Sequence, residues 1–262
     1  MRLIDGWPAI LVEKPVKTVL VSDLHFGFEA ELADKGVRVP SQAWKLGELL
    51  VELVREVDAE RLIFVGDLKH RIPLSSWIEW REMPRVLREL RKLVELILVP
   101  GNHDGGIASM LGDLITYTPS RGILVEAEQK IFLLHGHTWP NRDVLKADLV
   151  IMGHLHPMVS LRTSVGEILK RRVWLILEGD RRVLAERLGT ETRRRKLKLI
   201  VMPAFNPLLT GISVNSLTPK DKLWPLMRGG GFELREAEVI TLNGERLGKV
   251  GELEHQLRDV ET

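Results

Sequence analysis

Five short apolar runs, each followed at once by polar residues, constrain the fold of this chain more than any other feature. Each run is four residues long and rich in Val, Ile, Leu or Phe: residues 18–21, 62–65, 96–99, 131–134 and 149–152. Runs of this length fit buried strands better than helices. Between them lie amphipathic segments at residues 46–57 and 77–93, and Pro84 should kink or split the second. Strands and helices therefore alternate, which predicts an α/β fold.

The later part of the chain is richer in strands. Further apolar runs predict strands at residues 115–117, 122–125, 159–163, 173–177, 199–202 and 238–242. Residues 178–196 and 229–231 are predicted as loops. We expect one domain over residues 1–262, with a core at 1–165 and a part at 166–262 that completes a second sheet and carries a basic loop or helix near 178–198. Ligands of open α/β sheets bind at the carboxyl ends of strands, where the polar clusters lie.

The composition excludes several kinds of chemistry. The chain has no cysteine, so disulfides, thiolate zinc sites and cysteine nucleophiles are ruled out. The net charge of +2 produces no global field typical of a nucleic-acid binder. No apolar run approaches the ~20 residues that span a bilayer, so we expect a cytoplasmic protein without membrane contact. Five Asn and three Gln among many Arg and Glu are typical of a thermophilic source.

Seven of the eight histidines lie in or beside the polar clusters at predicted strand ends. Scattered core or surface histidines would not concentrate in this way, so the set predicts metal binding. Imidazole, carboxylate and amide ligands suit manganese, iron, zinc or nickel. The ligands are too many for one tetrahedral ion, whereas two ions ~3.5–4 Å apart that share a bridging carboxylate would use them.

Five motifs follow one another at these strand ends: Asp23-x-His25, Gly66-Asp67, Gly101-Asn102-His103-Asp104, His135 and Gly153-His154-x-His156. This order resembles that of the calcineurin-like metallophosphoesterases, with all five family motifs present and no ligand position substituted. The resemblance covers residues 22–156 and implies the family's α/β/β/α sandwich of two packed mixed sheets. Residues 66–70 and 202–207 resemble a narrower group related to SbcD-type DNA-repair nucleases, which includes the DNA-ligase-associated phosphoesterases.

The resemblance implies a role for each matched residue. The metal ligands would be Asp23, His25 and His156 for the first ion and Asn102, His135 and His154 for the second, with Asp67 bridging. Manganese is the expected metal, with iron, zinc and nickel as alternatives. The implied reaction is attack of a metal-bridging hydroxide on a phosphate ester. His103 would donate a hydrogen bond or proton near the leaving oxygen, and Asp104 would orient His103 and keep it protonated.

Three histidines keep a second interpretation. His103 is either the catalytic acid or a support for Asn102. His70 either contacts the substrate phosphate or fixes its loop. His137 is an alternative ligand to His135, which the family pattern favours.

Residues 171–198 carry ten Lys or Arg against four acidic residues. This segment is either a surface that follows the phosphates of DNA or RNA, with Arg193, Arg194 and Arg195 as substrate contacts, or a solvated helix and loop. Trp139 either stacks a base at the mouth of the site or packs in the core. Together with the resemblance to repair nucleases, the basic segment favours nucleic acid as substrate. A helicase or ligase partner is implied by the resemblance alone.

Three functions are consistent with these features. The first is a metal-dependent phosphodiesterase or endonuclease that acts on DNA or RNA. The second is a phosphatase or phosphodiesterase that acts on small nucleotides. The third is a catalytically silent scaffold that binds nucleic acid or a partner protein, and the complete set of ligands argues against it.

Overall fold

Two β-sheets packed face to face form the centre of the structure. The computed structural model describes residues 1–72, 76–163, 165–217 and 224–258, with the backbone alone at residues 78 and 255–258. The strands of the first sheet lie side by side in chain order: Arg2–Leu3 (β1), Ala9–Val12 (β2), Thr18–Val21 (β3), Arg61–Phe64 (β4), Glu95–Leu98 (β5) and Thr116–Tyr117 (β6). Strands β1 to β3 pair antiparallel, and β3 to β6 pair parallel.

Helices connect the strands of the first sheet. Their bounds are Phe28–Asp34 (α1), Ala43–Glu56 (α2), Trp77–Arg81 (α3), Met83–Arg91 (α4) and Ile107–Leu111 (α5), with a 3-10 turn at Gly112–Leu114. The amphipathic segment at 46–57 is confirmed as α2, which buries its apolar side. The predicted break is also confirmed, because α3 ends at Arg81 and Pro84 lies in the first turn of α4, where a missing N–H is tolerated.

The second sheet contains the strands that follow residue 122. Their bounds are Ile123–Glu126 (β7), Lys130–Leu134 (β8), Leu149–Met152 (β9), Pro157–Arg162 (β10), Ile168–Asp180 (β11), Lys196–Val201 (β12), Ile212–Ser213 (β13), Glu238–Thr241 (β14) and Arg246–Lys249 (β15). Strands β8, β9 and β12 are parallel, whereas β11 runs antiparallel to β10, β12 and β14. All the predicted strands are present, and β11 is much longer than its predicted core.

The prediction of a loop over residues 178–196 is wrong in its first half. Strand β11 continues to Asp180, and Arg181–Arg187 form a helix, α6. The side chain of Asp180 accepts a hydrogen bond from the backbone of Arg182 and caps this helix. The other elements are a final helix at Val250–Arg258 (α7) and 3-10 turns at Arg142–Lys146, Val214–Ser216 and Leu234–Glu236.

Three buried apolar clusters fill the spaces between the two sheets and the helices on their outer faces. One lies between the two sheets and joins Leu20 and Ile63 of the first sheet to Ile151 and Trp174 of the second. The others fill the space between each sheet and the helices on its outer face. The predicted α/β/β/α sandwich of two mixed sheets is therefore confirmed. Within the residues described, no helix is both long and apolar enough to cross a membrane.

Candidate metal centre

The backbone at the carboxyl ends of β3, β4 and β9 has an unusual conformation. In the described part of the chain six non-glycine residues have positive φ, and five are predicted ligands: Asp23, His25, Asp67, His154 and His156, at 45° to 71°. A non-glycine residue in this region costs about 1–3 kcal/mol and persists where the surrounding structure holds it. Strain of this kind concentrates at functional sites, so its coincidence with the predicted ligands supports their assignment.

Hydrogen bonds join the loops that carry these residues and fix their relative positions. The N–H of Asp23 donates to the carbonyl of Gly66 at 3.1 Å, and the N–H of His25 donates to that of Asp67 at 2.9 Å. The two sheets are joined in the same way, because His135 Nδ1 donates to the Val65 carbonyl at 3.0 Å and the N–H of His154 donates to Asp23 Oδ2 at 3.1 Å. The carboxyl ends of both sheets therefore meet at one edge.

Glycines in the motifs leave room for the ligands. A Cβ on Gly66 would lie 2.1 Å from His135 Nδ1, and a Cβ on Gly153 would lie 1.8 Å from Ser22 Oγ. A Cβ on Gly101 would lie 2.1 Å from Asp67 Oδ1. Real side chains do not approach so closely, so each glycine is required by the packing of the site.

The predicted ligands converge into two clusters. The first contains Asp23, His25 and His156, and the second contains Asp67, His135 and His154; within each cluster the ligand atoms lie within 4.8 Å of one another. His156 Nε2 is 3.0 Å from Asp23 Oδ1, and His154 Nδ1 is 3.2 Å from His135 Nε2.

Asp67 belongs to the second cluster and also faces the first. Its Oδ2 atom is 3.4 Å from His25 Nε2 and 3.1 Å from His135 Nε2. Its Oδ1 atom accepts a hydrogen bond from the N–H of His103 at 2.9 Å, which fixes the carboxylate plane. One carboxylate oxygen thus faces imidazole nitrogens of both clusters.

The buried charges shift the pKa values of the cluster. Burial alone would raise the pKa of Asp23, but the His156 and His135 imidazoles lower it to about 2. Burial lowers the pKa of His25 to about 3 and, together with His135, that of His154 to about 4. Burial opposes protonation of His135, yet the carboxylates of Asp67 and Asp23 raise its pKa to about 9. The carboxylates thus favour positive charge beside His135, which a divalent cation can supply as well as a proton.

The donor set fits divalent cations. His25 Nε2 and His156 Nε2 are buried without a hydrogen-bond partner, although a carboxylate oxygen lies beside each. Buried polar atoms rarely lack a partner, and a bound ion is one explanation for such exceptions. Imidazole and carboxylate without sulfur suit borderline or hard cations such as manganese, iron, zinc and nickel.

His70 belongs to the site through its hydrogen bonds. Its Nε2 lies 2.6 Å from Glu31 Oε2, and its Nδ1 lies 3.0 Å from His25 Nδ1. A neutral His70 ring that donates to Glu31 must accept from His25 Nδ1, and this leaves the His25 Nε2 lone pair for a cation. The geometry therefore favours a positioning role for His70, which also stacks on the ring of His103.

His103 is partly exposed beside the first cluster. Its Nδ1 contacts the carbonyl of His70, so Nε2 is the nitrogen left to act on a substrate. The ring centroids of His103 and His25 are 4.8 Å apart.

The structure does not show the predicted contact between Asp104 and His103. Asp104 is buried and accepts hydrogen bonds from the N–H groups of Leu68, Lys69 and Gly101, at 2.8 to 3.2 Å. Burial and the charge of Asp67 raise the pKa of Asp104 to about 6. Asp104 thus joins the loops after β4 and β5, and its influence on His103 passes through the backbone.

The remaining predicted residues occupy different places. Asn102 is exposed on its loop between Gly101 and His103. His137 lies beside the second cluster, with its ring centroid 5.5 Å from that of His135, but the ligand atoms that converge belong to His135.

The three arginines of the basic segment are not brought to the site. Arg193, Arg194 and Arg195 precede β12, which is parallel to β9, whereas the ligands follow the carboxyl end of β9. The length of β12 separates them by about 20 Å. Arg194 pairs instead with Asp148 at the opposite edge of the sheet. The structure therefore does not bring these arginines to the predicted metal ligands, and their contact with a substrate stays a prediction.

Several supporting residues were not predicted. Ser22 Oγ lies 2.6 Å from Asp23 Oδ2, and buried Asn206 donates to the Leu24 carbonyl at 2.8 Å. Glu79 is buried and accepts from the N–H groups of His70 and Arg71. Asn206 lies in the segment 202–207, which resembles the group related to SbcD-type nucleases. That resemblance was the only feature of the sequence that could have indicated a role for Asn206. Glu79 had none, because a Glu on an amphipathic helix is usually solvated.

The two-sheet sandwich and the His and Asp side chains that converge at one of its edges define a candidate site for divalent cations. The sequence profile of the calcineurin-like phosphoesterase superfamily domain matches residues 16–180, and the chain belongs to this superfamily, whose members use divalent metal ions. A serine/threonine-protein phosphatase, CPPED1 of Pongo abelii, is 30% identical over 118 residues, which are 41% of this chain and 38% of that protein. The chain thus spans about two fifths of the length of this curated relative.

Two solved structures also resemble the chain. The Pseudomonas putida nuclease MPE is 18% identical, with a TM-score of 0.48 over 92% of this chain and 94% of that one. The Escherichia coli phosphoesterase YfcE is 18% identical, with a TM-score of 0.40 over 88% of this chain and 97% of that one.

Proposed function

We propose that the chain is a two-metal phosphodiesterase whose substrate is nucleic acid. The observation that carries the proposal is the position of Asp67 Oδ2, 3.4 Å from His25 Nε2 and 3.1 Å from His135 Nε2. A single oxygen placed between two ligand clusters is suited to bridging two cations, and two-metal sites are typical of phosphoester hydrolases. Manganese fits the nitrogen and oxygen donors, as do iron, zinc and nickel.

The residues around the clusters would have different roles in the reaction. Two bound cations would lower the pKa of a water molecule and neutralise charge on the phosphate oxygens. His103 Nε2 is positioned to hydrogen-bond the leaving oxygen, because Nδ1 is held by the His70 carbonyl. Asn102, which is exposed on the loop after β5, would complete the ligand set of the second cation. Ser22 and the N–H groups of His103 and His154 hold the two carboxylates in place.

The surroundings of the site support a polyanionic substrate. Strand β10 begins directly after His156, and the hairpin of β10 and β11 extends past the carboxyl end of β12. Arg162, Lys170 and Arg171 are exposed on this hairpin. Basic residues at the edge that carries the metal ligands favour contacts with a phosphate backbone, without recognition of sequence.

A phosphomonoesterase is the second candidate. It is favoured by the 30% identity with a serine/threonine-protein phosphatase, which overlaps 41% of this chain. On this alternative the basic hairpin would contact the macromolecule or nucleotide that carries the phosphate.

Hydrolysis assays on metal-stripped protein test the proposal. The substrates are single-stranded DNA, single-stranded RNA, bis(p-nitrophenyl) phosphate and p-nitrophenyl phosphate, each with manganese, nickel, zinc, magnesium or no metal. We expect manganese-dependent cleavage of a nucleic acid and of the diester, lost in Asp67→Asn and in His103→Ala. The matched control is Asp58→Asn, since Asp58 and Asp67 share a φ of 51° and Asp58 is remote from the ligands.

Each outcome selects one function. Diester turnover without cleavage of DNA or RNA would move the substrate to small nucleotides. Turnover of the monoester alone would establish the second candidate. No turnover with any metal would refute an enzymatic function and leave the scaffold. A helicase or ligase partner, the narrower repair-nuclease group, the single domain and the cytoplasmic location stay predictions.

A further inference from the structure

A pocket of 760 Å³ opens on the outer face of the second sheet, apart from the metal ligands. Its walls include Trp139, Leu188 and the three arginines Arg121, Arg142 and Arg187. Pockets of about 300–1,000 Å³ are typical of small-ligand sites. An aromatic ring beside three cations indicates a ligand that combines an aromatic group with phosphate.

Neutral groups hold two of these arginines in place. The guanidinium of Arg121 donates to the carbonyls of Trp139 and Pro140 at 3.3 and 3.2 Å. That of Arg142 donates to the carbonyls of Leu188 and Gly189 at 3.3 and 3.4 Å. Carbonyls orient a guanidinium without neutralising it, so the positive charge is available to an anion.

The acidic residue of the pocket does not cancel this charge. Asp143 pairs with Lys146 at 2.7 Å. Within the described ranges of the chain, no carboxylate forms an ion pair with Arg121, Arg142 or Arg187. With Lys146 counted beside Asp143, this region therefore has a local excess of three positive charges, although the whole chain carries a net charge of only +2.

Trp139 contacts both the apolar core and the pocket. One side packs against the apolar cluster between the second sheet and its outer helices, and the half-buried remainder lines the pocket. A ring held in this way can stack a nucleobase with little loss of side-chain entropy.

The pocket lies within reach of the metal centre. Trp139 follows His135 by four residues, so their Cα atoms are at most about 14 Å apart. The N–H of Asn141 donates to the Arg121 carbonyl at 2.9 Å, and its side chain donates to the Gly122 carbonyl at 2.7 Å. These bonds fix the pocket wall beside the carboxyl end of β8, the edge from which His135 projects.

We propose that this pocket binds a nucleotide unit, with the base stacked on Trp139 and its phosphates paired with Arg121, Arg142 and Arg187. The inference rests on the proposed action on nucleic acid. The bound nucleotide would belong to the strand being cleaved and would lie a few nucleotides from the scissile bond. The chemistry recognised is an aromatic base joined to phosphate, which a strand and a free mononucleotide share.

Binding to metal-stripped protein tests the pocket without depending on turnover. The probe is a fluorescein-labelled single-stranded oligonucleotide, followed by anisotropy over a series of salt concentrations, with adenosine monophosphate as a competitor. Trp139→Ala removes the stacking surface, and Arg187→Glu reverses a charge whose side chain makes no hydrogen bond to any other residue that the structure describes. The matched controls are Trp44→Ala on α2 and Arg88→Glu on α4, because both residues are exposed on the opposite outer face.

We expect Trp139→Ala to weaken oligonucleotide binding about tenfold. Arg187→Glu should weaken it by a similar factor and reduce the salt dependence by about one ion or more. Both controls should bind like the wild type. Hydrolysis of bis(p-nitrophenyl) phosphate should be unchanged in all four variants, because this small diester does not extend to the pocket.

The outcomes separate the pocket from the proposed function. Wild-type affinity in both pocket variants would overturn the inference, whatever the hydrolysis assays show. Weaker binding of the oligonucleotide by both pocket variants would support the proposed nucleotide site. Competition by the mononucleotide would show in addition that the site accepts a free nucleotide as well as a strand. A wild-type protein that binds neither ligand would overturn the inference, while diester hydrolysis would still stand as evidence for the metal centre.

Discussion

Removal of the negative charge of Asp67 should change how the stability of the metal-stripped protein depends on pH. Asp67 Oδ2 lies 3.1 Å from His135 Nε2, and His135 is fully buried. The carboxylates of Asp67 and Asp23 raise the pKa of His135 from 6.5 to about 9, against the effect of burial. A rise of this size corresponds to about 3 kcal/mol between the two protonation states.

The raised pKa of His135 determines how its contribution to the free energy of unfolding changes with pH. Because the pKa of His135 is higher in the folded state, its contribution is fully present below pH 6.5 and is lost as the pH rises through about 9. Between about pH 7 and about pH 9.5 the free energy of unfolding should fall by about 2 kcal/mol from this group. His25 and His154, whose pKa values are lowered, affect stability below this window.

Urea unfolding followed by tryptophan fluorescence, in the presence of a chelator, measures this difference. The wild type and Asp58→Asn should both lose about 2 kcal/mol across the window, whereas Asp67→Asn should lose less than about half of it. A loss in Asp67→Asn equal to that of the wild type would refute the view that this carboxylate holds the charge on His135.

Further substitutions probe the supports of the site. Gly153→Ala should lower the free energy of unfolding by about 1–3 kcal/mol in urea, because its Cβ would overlap Ser22 Oγ, whereas Gly105→Ala has open space and should not. Asp104→Ala should cost more than about 3 kcal/mol in the same assay, since three N–H donors lose their acceptor; a loss below 1 kcal/mol would contradict this. His70→Ala should lower manganese affinity about 10–100-fold by calorimetry, and unchanged affinity would exclude its positioning role.

The strands that end at the metal centre could be predicted because two signals coincide. Each combines a buried apolar run with polar residues at its carboxyl end, as in β3 and β9, whose bounds were predicted without error. Strand β2 at Ala9–Val12 was missed, since its apolar run leads into an ordinary charged turn. The positive φ of Asp23 or His154 could not be predicted, because these residues are held by partners distant along the chain, Gly66 for the N–H of Asp23 and Asp23 for the N–H of His154.

The position of Arg193 to Arg195, away from the predicted ligands, has a topological cause. A basic run next to a strand can lie at either edge of the sheet, and only the strand direction decides which. Strand β12 is parallel to β9, so residues before β12 lie at the edge away from the ligands. The hairpin of β10 and β11, which carries Lys170 and Arg171, extends instead beyond the carboxyl end of β12, on the side of the sheet where the predicted ligands lie.

The predicted metal ligands are divided between the two sheets. Asp23, His25 and Asp67 follow strands of the first sheet, and His135, His154 and His156 follow strands of the second. Neither half alone carries a complete ligand set, so cation binding and association of the halves are thermodynamically linked. A chain cut between β6 and β7 is therefore expected to reassemble more tightly when divalent cations are added, and the cations would then strengthen a contact between two separate polypeptides.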